Sequence, residues 1–319
     1  MPLLTLCQAL DFIAARQGAL GAFNVSDLLQ AEAVLDAAAD TGLPVIVQTL
    51  AGCSAHGSDE RFWRGLRWLI DDYPGVEAVL HLDHGPDYGT CARAIDAGFS
   101  SVMIDASLEA DRKTPASFAH NVAATRRVVE LAHAAGISVE GELGTIGGGE
   151  GHDSAAAIVL ADPDLAEKFV LGTGVDALAV AIGTSHGAYK FSHEPDEAVL
   201  RMDLITAITG RIPGVHLVMH GSSSLPADIR ARINAHGGNL PESWGVPMSE
   251  KSRAGTLGVR KINQGMDSHM AFTAAVREAL DADPQAVDPA SYLRPARVEM
   301  SSLIASRMRS FAGDLAGRE

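Results

Sequence analysis

Cysteine is scarce. Cys7, Cys53 and Cys91 are the only three in 319 residues, they form no CxxC pair, and an odd count leaves one over in any pairing, so the pattern excludes a disulfide scaffold and points to a reducing cytoplasm. Positive charge is also short. Lys and Arg number 25 against 40 Asp and Glu, a formal net charge of −15. That balance excludes a nucleic-acid or anionic-membrane partner, because both need a basic footprint. No stretch approaches the roughly 18 uncharged apolar residues of a membrane span. The apolar run 3–6 lacks a basic flank and soon meets Asp11 and Arg16, so no secretory leader is expected. Neither GxGxxG nor GxxxxGK[ST] occurs, and GGGEG (147–151) has the wrong spacing, which leaves nucleotide binding without support. What is present is 47% hydrophobic residues with 32 Gly and 14 Pro, which rules out a disordered chain or a collagen. An acidic chain that handles anions must then concentrate its positive charge locally.

Short β-like runs alternate with helical segments along the whole length. Residues 21–25 (GAFNV), 44–49 (PVIVQT), 78–82 (AVLHL), 101–105 (SVMID), 138–142 (SVEGE), 177–182 (ALAVAI), 216–220 (HLVMH) and 258–263 (GVRKIN) are rich in Val and Ile with little polar alternation, as buried parallel strands are. Helical patterns lie between them, as in 27–41, 90–97 and 119–135. The reading is an α/β chain forming a (β/α)8 TIM barrel with an extra C-terminal helix. Residues 1–319 form a single domain, and the helical extension covers about 286–319 and contains Arg297, Met300 and Leu303. A doubly wound sheet is the alternative, and it loses because no Gly-rich turn follows the first strand. Residues 144–162, with glycines around Glu150, read as a long active-site loop, and 235–248 as a second irregular stretch.

In such a barrel chemistry sits at the C-terminal ends of the strands, and six runs end in polar residues: Asn24, Asp83 with His84, Asp105, Glu142, His220 and Asn263. His84, His186 and His220 each stand beside Gly at a strand end. Three imidazoles converging with an open position describe a catalytic Zn²⁺ site; the alternative is three hydrogen-bonded structural histidines. Asp83, next to one of them, is placed for acid/base work. Glu140 and Glu142 share one face of a strand and read equally as a carboxylate pair, as orienters of a metal-bound histidine, or as ion-pair partners inside the barrel. GTSHG (183–187) and HGSSS (220–224) can present backbone N–H groups to a phosphate, with Lys190, Arg260 and Lys261 as nearby cations.

Taken in order, GAFNV, HLDHG, GFSSVMIDAS, VEGELG, GVDALAVAIGTSHGAYKF, HGSSSLP, GVRKIN and DPASYLRPAR resemble the class II metal-dependent ketose-bisphosphate aldolases, in their fructose- and tagatose-bisphosphate branch. The resemblance implies a zinc-dependent lyase acting on a sugar. The default reaction is reversible cleavage of fructose 1,6-bisphosphate to dihydroxyacetone phosphate and glyceraldehyde 3-phosphate, through an enediolate stabilised by Zn²⁺. It implies His84, His186 and His220 as zinc ligands, Asp83 as the acid/base at the C4 oxygen and Glu150 as the loop carboxylate that moves the C3 proton. Asp105 and Glu142 match a second divalent position. Asn24, Asn263 and Asp267 match substrate contacts, while Gly187, Lys190, Gly221, Ser222 and Ser223 match phosphate and monovalent-cation loops. It also implies a homodimer or homotetramer in the cytoplasm. A Schiff-base mechanism would need a desolvated lysine, and no lysine has a convincing place inside the barrel.

The chain departs from the family pattern at its rim. Asn263-Gln264-Gly265-Met266-Asp267 stands for the usual Asn-(Ile/Val)-Asp-Thr-Asp, Leu50 replaces a serine hydroxyl, and Ala290 replaces an arginine. These changes suggest the same reaction on another ketose: unphosphorylated, monophosphorylated or sulfonated. Alternatively Arg253 or Arg260 compensates. A non-catalytic sugar-phosphate-binding barrel and a metal-dependent hydrolase are the competing classes.

Overall fold

The Val- and Ile-rich segments pair edge to edge, each with its sequence neighbour. In the computed structural model, described here for residues 3–109, 111, 113–146, 158–185, 191, 194–195 and 199–313, they are β1 (Leu20–Asn24), β2 (Val45–Leu50), β3 (Ala78–Gly85), β4 (Ser101–Ile104), β5 (Ser138–Leu143), β6 (Ala177–Val180), β7 (His216–Met219) and β8 (Val259–Gln264). All pairings are parallel, and β8 returns to β1 to close the barrel. Every expected strand is present, and the open-sheet alternative is excluded by that closure.

Eleven helices are found among the described residues: α1 (Leu6–Ala14), α2 (Leu28–Thr41), α3 (Asp59–Asp71), α4 (Tyr88–Asp96), α5 (Phe118–Ala134), α6 (Pro163–Thr173), α7 (Met202–Arg211), α8 (Ala227–Ala235), α9 (Met248–Leu257), α10 (Met266–Ala282) and α11 (Pro289–Ala312). Their limits are written in local chemistry. Asp27, Asp87, Ser117 and Asp162 cap α2, α4, α5 and α6 by accepting N–H bonds from the first turn. Gly42 and Gly174 end α2 and α6 in the left-handed region, where a side chain would be strained. Helix α1 was not expected. Its buried Leu6, Ala9, Leu10 and Ile13 pack on Leu20, Ala22, Ile46, Val79, Met103 and Val218, so it plugs the N-terminal end of the barrel. The C-terminal extension is α11, which docks through Met300, Ile304, Met308 and Phe311. None of the described helices is long and apolar enough to cross a membrane.

The strand pleat sorts the barrel interior into levels. An apolar floor formed by Ala22, Ile46, Val79, Met103 and Val218 gives way to buried Gln48, His81, Glu140 and Lys261. Asn24, Asp83, Asp105, Glu142, His220 and Asn263 lie above these, at the C-terminal mouth. Period-two alternation brings polar residues inward here only because each finds a partner.

Candidate active site

Asp83 is the best-held group at the mouth. Its Oδ2 accepts from Asn24 Nδ2 at 2.8 Å and Gln48 Nε2 at 3.2 Å, and its Oδ1 from Asn263 Nδ2 at 3.2 Å. Three different strands therefore aim amide donors at one carboxylate, which is 1% exposed. Burial pushes its pKa up, but the charges of His84, His220 and Lys261 and the Asn24 hydrogen bond outweigh burial and hold it below the usual range. An ionised carboxylate fixed this way is ready to accept a proton.

Beside it, His84 and His220 meet edge to face, with His84 Nε2 2.9 Å from His220 Nδ1. Two nitrogens bound to one tetrahedral zinc stand roughly 3.3 Å apart, so the pair is already near the spacing of a shared ion. The far nitrogen of each ring is fixed by a carboxylate: His84 Nδ1 by Asp105 at 3.2 Å, His220 Nε2 by Glu140 at 2.7 Å. This is how metal-ligating histidines are oriented. His84 itself adopts φ 43°, which turns its ring across the mouth. Behind it Gly85 is required, since a Cβ there would lie 2.5 Å from the Met103 carbonyl oxygen and 2.8 Å from Cys91 Sγ.

The electrostatics fit a cation. Burial lowers the His84 pKa, yet Asp83, Asp105 and Glu142 together push it up to about 10. Burial and the neighbouring Asp105 push Glu142 up to about 8, and its Oε2 is buried without a hydrogen bond among the described residues. A carboxyl crowded by another carboxylate until it retains its proton, with one oxygen orphaned, is what a divalent ion would relieve. Two groups of described residues converge closely enough to hold one: Asp83, His84 and His220; and His84, Asp105 and Glu142.

Below the mouth lies a network that reading the sequence missed. Glu140 binds His220 on one oxygen and, on the other, Lys261 Nζ at 3.0 Å with His81 Nε2 at 3.5 Å. Lys261 also donates to Asn263 Oδ1 at 2.8 Å, and His81 Nδ1 bonds Ser101 Oγ at 2.8 Å. Of the three readings left open for Glu140, two hold together: it orients a histidine and it pairs with a cation. The expectation that no lysine lies inside the barrel is overturned, because Lys261 is fully buried there. Its Nζ is held between the Glu140 carboxylate and Asn263 Oδ1, which leaves it committed to that network instead of open to a substrate carbonyl. The signal was available in GVRKIN, where alternation puts Lys261 and Asn263 on the same side.

A family model described as fructose-bisphosphate aldolase class-II matches residues 5–314. The chain belongs to the class-II fructose-bisphosphate aldolase family. The fructose-bisphosphate aldolase of Nostoc commune is 46% identical over 323 residues, covering 98% of this chain and 90% of that protein. The enzyme of the same name from Rhizobium meliloti (strain 1021) is 43% identical with the same coverage. Among solved structures, the YdjI aldolase from Escherichia coli K12 superposes with a TM-score of 0.77 at 26% identity, covering 99% of this chain and all of that one.

Within this family frame, the rim residues can be placed one by one. Gly221 turns with φ 59°, and a Cβ on it would fall 2.5 Å from the Ser185 carbonyl oxygen, so the HGSSS turn lies against Ser185. Ser222 Oγ donates to the Asn263 carbonyl at 2.5 Å, and Ser223 is buried. Asp267 lies behind this turn instead of lining the mouth: it accepts the Ser224 and Leu225 N–H groups at 3.0 and 2.9 Å. Glu150, His186, Gly187 and Lys190 fall outside the described residues. Neither arginine expected to compensate reaches the mouth. Arg260 donates to the carbonyls of Gly18, Gly255 and Val259, which lie at the strand-entry end, and Arg253 pairs with Glu250 at 3.6 Å on the surface. Met266 packs against the buried apolar cluster that contains Leu225, Ile229 and Met270. At Gly265 a Cβ would meet only Asn24 atoms at ordinary contact, 3.5 Å, so the missing side chain leaves space at the mouth.

Proposed function

We propose that the protein is a zinc-dependent aldolase that reversibly cleaves a ketose phosphate, with fructose 1,6-bisphosphate as the default substrate and dihydroxyacetone phosphate and glyceraldehyde 3-phosphate as products. The observation that carries this reading is the ionised Asp83, held by three amide donors beside the converging His84–His220 pair. Family membership and the names of the relatives support it. His84, His186 and His220 would hold the zinc, and Asp105 with Glu142 a second divalent position. A cation there supplies Lewis-acid stabilisation for the negative charge that develops beside the ketone.

The protein's own groups do the rest. Asp83 takes the proton from the C4 hydroxyl as the C3–C4 bond breaks; C4 leaves as the aldehyde, and the electron pair passes toward C2. Glu150 then delivers the C3 proton. Asn24 and Asn263, tied to Asp83, orient the diol, while Gly187, Lys190, Gly221, Ser222 and Ser223 receive phosphate and a monovalent cation, with Asp267 bracing their turn. The chain works as one domain, in a cytoplasmic homodimer or homotetramer. Steady-state cleavage should vanish with chelator and return with Zn²⁺, and Asp83→Ala should lower kcat by about 10²- to 10⁴-fold. Chelator-insensitive cleavage would reject the metal mechanism. No cleavage of any ketose would favour a sugar-binding barrel.

A second reading keeps this chemistry and changes the substrate to a ketose with fewer or different anionic ends. It is favoured by the space at Gly265 and by Met266, whose side chain packs with apolar neighbours. A panel of ketose bisphosphates, monophosphates, sulfonates and free ketoses separates the two by kcat/KM.

A further inference from the structure

Directly behind the HGSSS turn lies a buried charge cluster. Lys251, fully buried in the second turn of α9, donates from Nζ to Ser224 Oγ at 2.6 Å, and the same hydroxyl donates to the Val246 carbonyl at 3.0 Å. The Lys251 ammonium is 5.9 Å from the centre of the Phe311 ring. Asp267 holds the N–H groups of Ser224 and Leu225 and faces the Arg307 guanidinium at 3.6 Å. Neighbouring Glu250 turns elsewhere, accepting from Leu200 N and pairing with Arg253. Three charged side chains from α9, α10 and α11 thus meet at one turn, two of them cations. In a poorly solvated setting such charges act over several ångströms with little screening.

We propose that Lys251 is a positioning and specificity-determining residue for the anionic end of the substrate. Acting through Ser224, with Arg307 beside it, Lys251 fixes the 221–224 turn and keeps its potential positive, so that its N–H groups and hydroxyls receive a phosphate. It supplies at this turn a positive charge that Arg253 and Arg260 direct elsewhere. The inference rests on the reading that this turn is a phosphate site.

Inorganic phosphate, used as a competitive inhibitor of the zinc-loaded enzyme, tests it. Lys251→Gln keeps a donor for Ser224 and removes the charge. It should raise the phosphate Ki about tenfold and raise KM for a phosphorylated ketose more than for its unphosphorylated counterpart. Lys251→Arg should recover most of the phosphate affinity. A purely structural lysine would instead lower Tm and leave the preference between the two ketoses where it was. Arg307→Gln is the second arm, at a partly exposed site, and should weaken phosphate in the same direction. Phosphate inhibition within twofold of wild type in Lys251→Gln overturns the proposal; so does the same result in Arg307→Gln if Lys251 cannot be replaced. Calorimetric binding of inorganic phosphate needs no turnover. Lys251-dependent binding without cleavage of any ketose would therefore sink the aldolase reading and leave this one standing.

Discussion

At the scale of single residues, the mouth is a set of protons waiting to be displaced. His84 is raised from 6.5 to about 10 and Glu142 from 4.5 to about 8. Both bind protons more tightly folded than unfolded. The His84 contribution is complete below pH 6.5 and is lost as pH rises toward 10; Glu142 loses its share between 4.5 and 8. Carboxylates with lowered values, such as Asp83, complete their stabilising contribution below that range. The metal-free protein should therefore lose Tm between about pH 6 and pH 9, and a flat or rising curve would contradict these assignments. Loading zinc must remove the proton shared by His84 and His220, so calorimetry in buffers of different ionisation enthalpy should record proton release. Glu140→Gln strands Lys261 in the interior and should cost about 3–5 kcal/mol in denaturant unfolding, with zinc affinity about 10- to 100-fold weaker. Pairing it with Lys261→Met should restore part of that stability; a strictly additive loss would show that the two are not coupled.

Among the elements, α11 carries more weight in packing than in charge. Met300 is fully buried against the barrel, whereas Arg297 reaches Glu32 and Asp36 of α2 at 2.7 Å with about a third of each side chain exposed. Met300→Ala should cost about 2–5 kcal/mol, and Arg297→Ala about 1 kcal/mol or less once solvent screening is counted. Equal losses in urea titration would count against this division. The eight strands were legible because burial on both faces writes itself as unbroken Val and Ile runs. Helix α1 was not legible: Leu6, Leu10 and Ile13 have helical spacing, but nothing local says that they plug a barrel formed by residues far along the chain. The same limit hid Lys251. A lysine in SEKSR looks like a solvated helix face, and only α11, sixty residues later, covers it.

For the molecule as a whole, the −15 charge and the positive turn act over different ranges. The surface field extends about a Debye length, roughly 10 Å at 0.1 M salt, and is screened, while the buried cluster is screened much less. For a phosphorylated substrate, kcat/KM should therefore rise as ionic strength goes from about 0.01 to 0.1 M. A fall over that range would mean that the mouth attracts anions from a distance. The acidic composition said nothing of where the few cations go, because burial and pairing are settled by the fold. The metal and acid/base candidates on described strands came together because barrel topology converts strand-end position into proximity. Asp267 did not join them, since its neighbours at Ser224 and Leu225 lie on a turn that spacing alone cannot orient.

The layered interior also governs how such a chain can diverge. Glu140, His81, Lys261, His220 and Asn263 are bound to one another, so a change at one is tolerated only alongside a change at another. Leu50, Gly265, Met266 and Ala290 make no side-chain bond into that network. A substitution at the lip is thereby uncoupled from the groups below, whereas those groups constrain one another and can change only together.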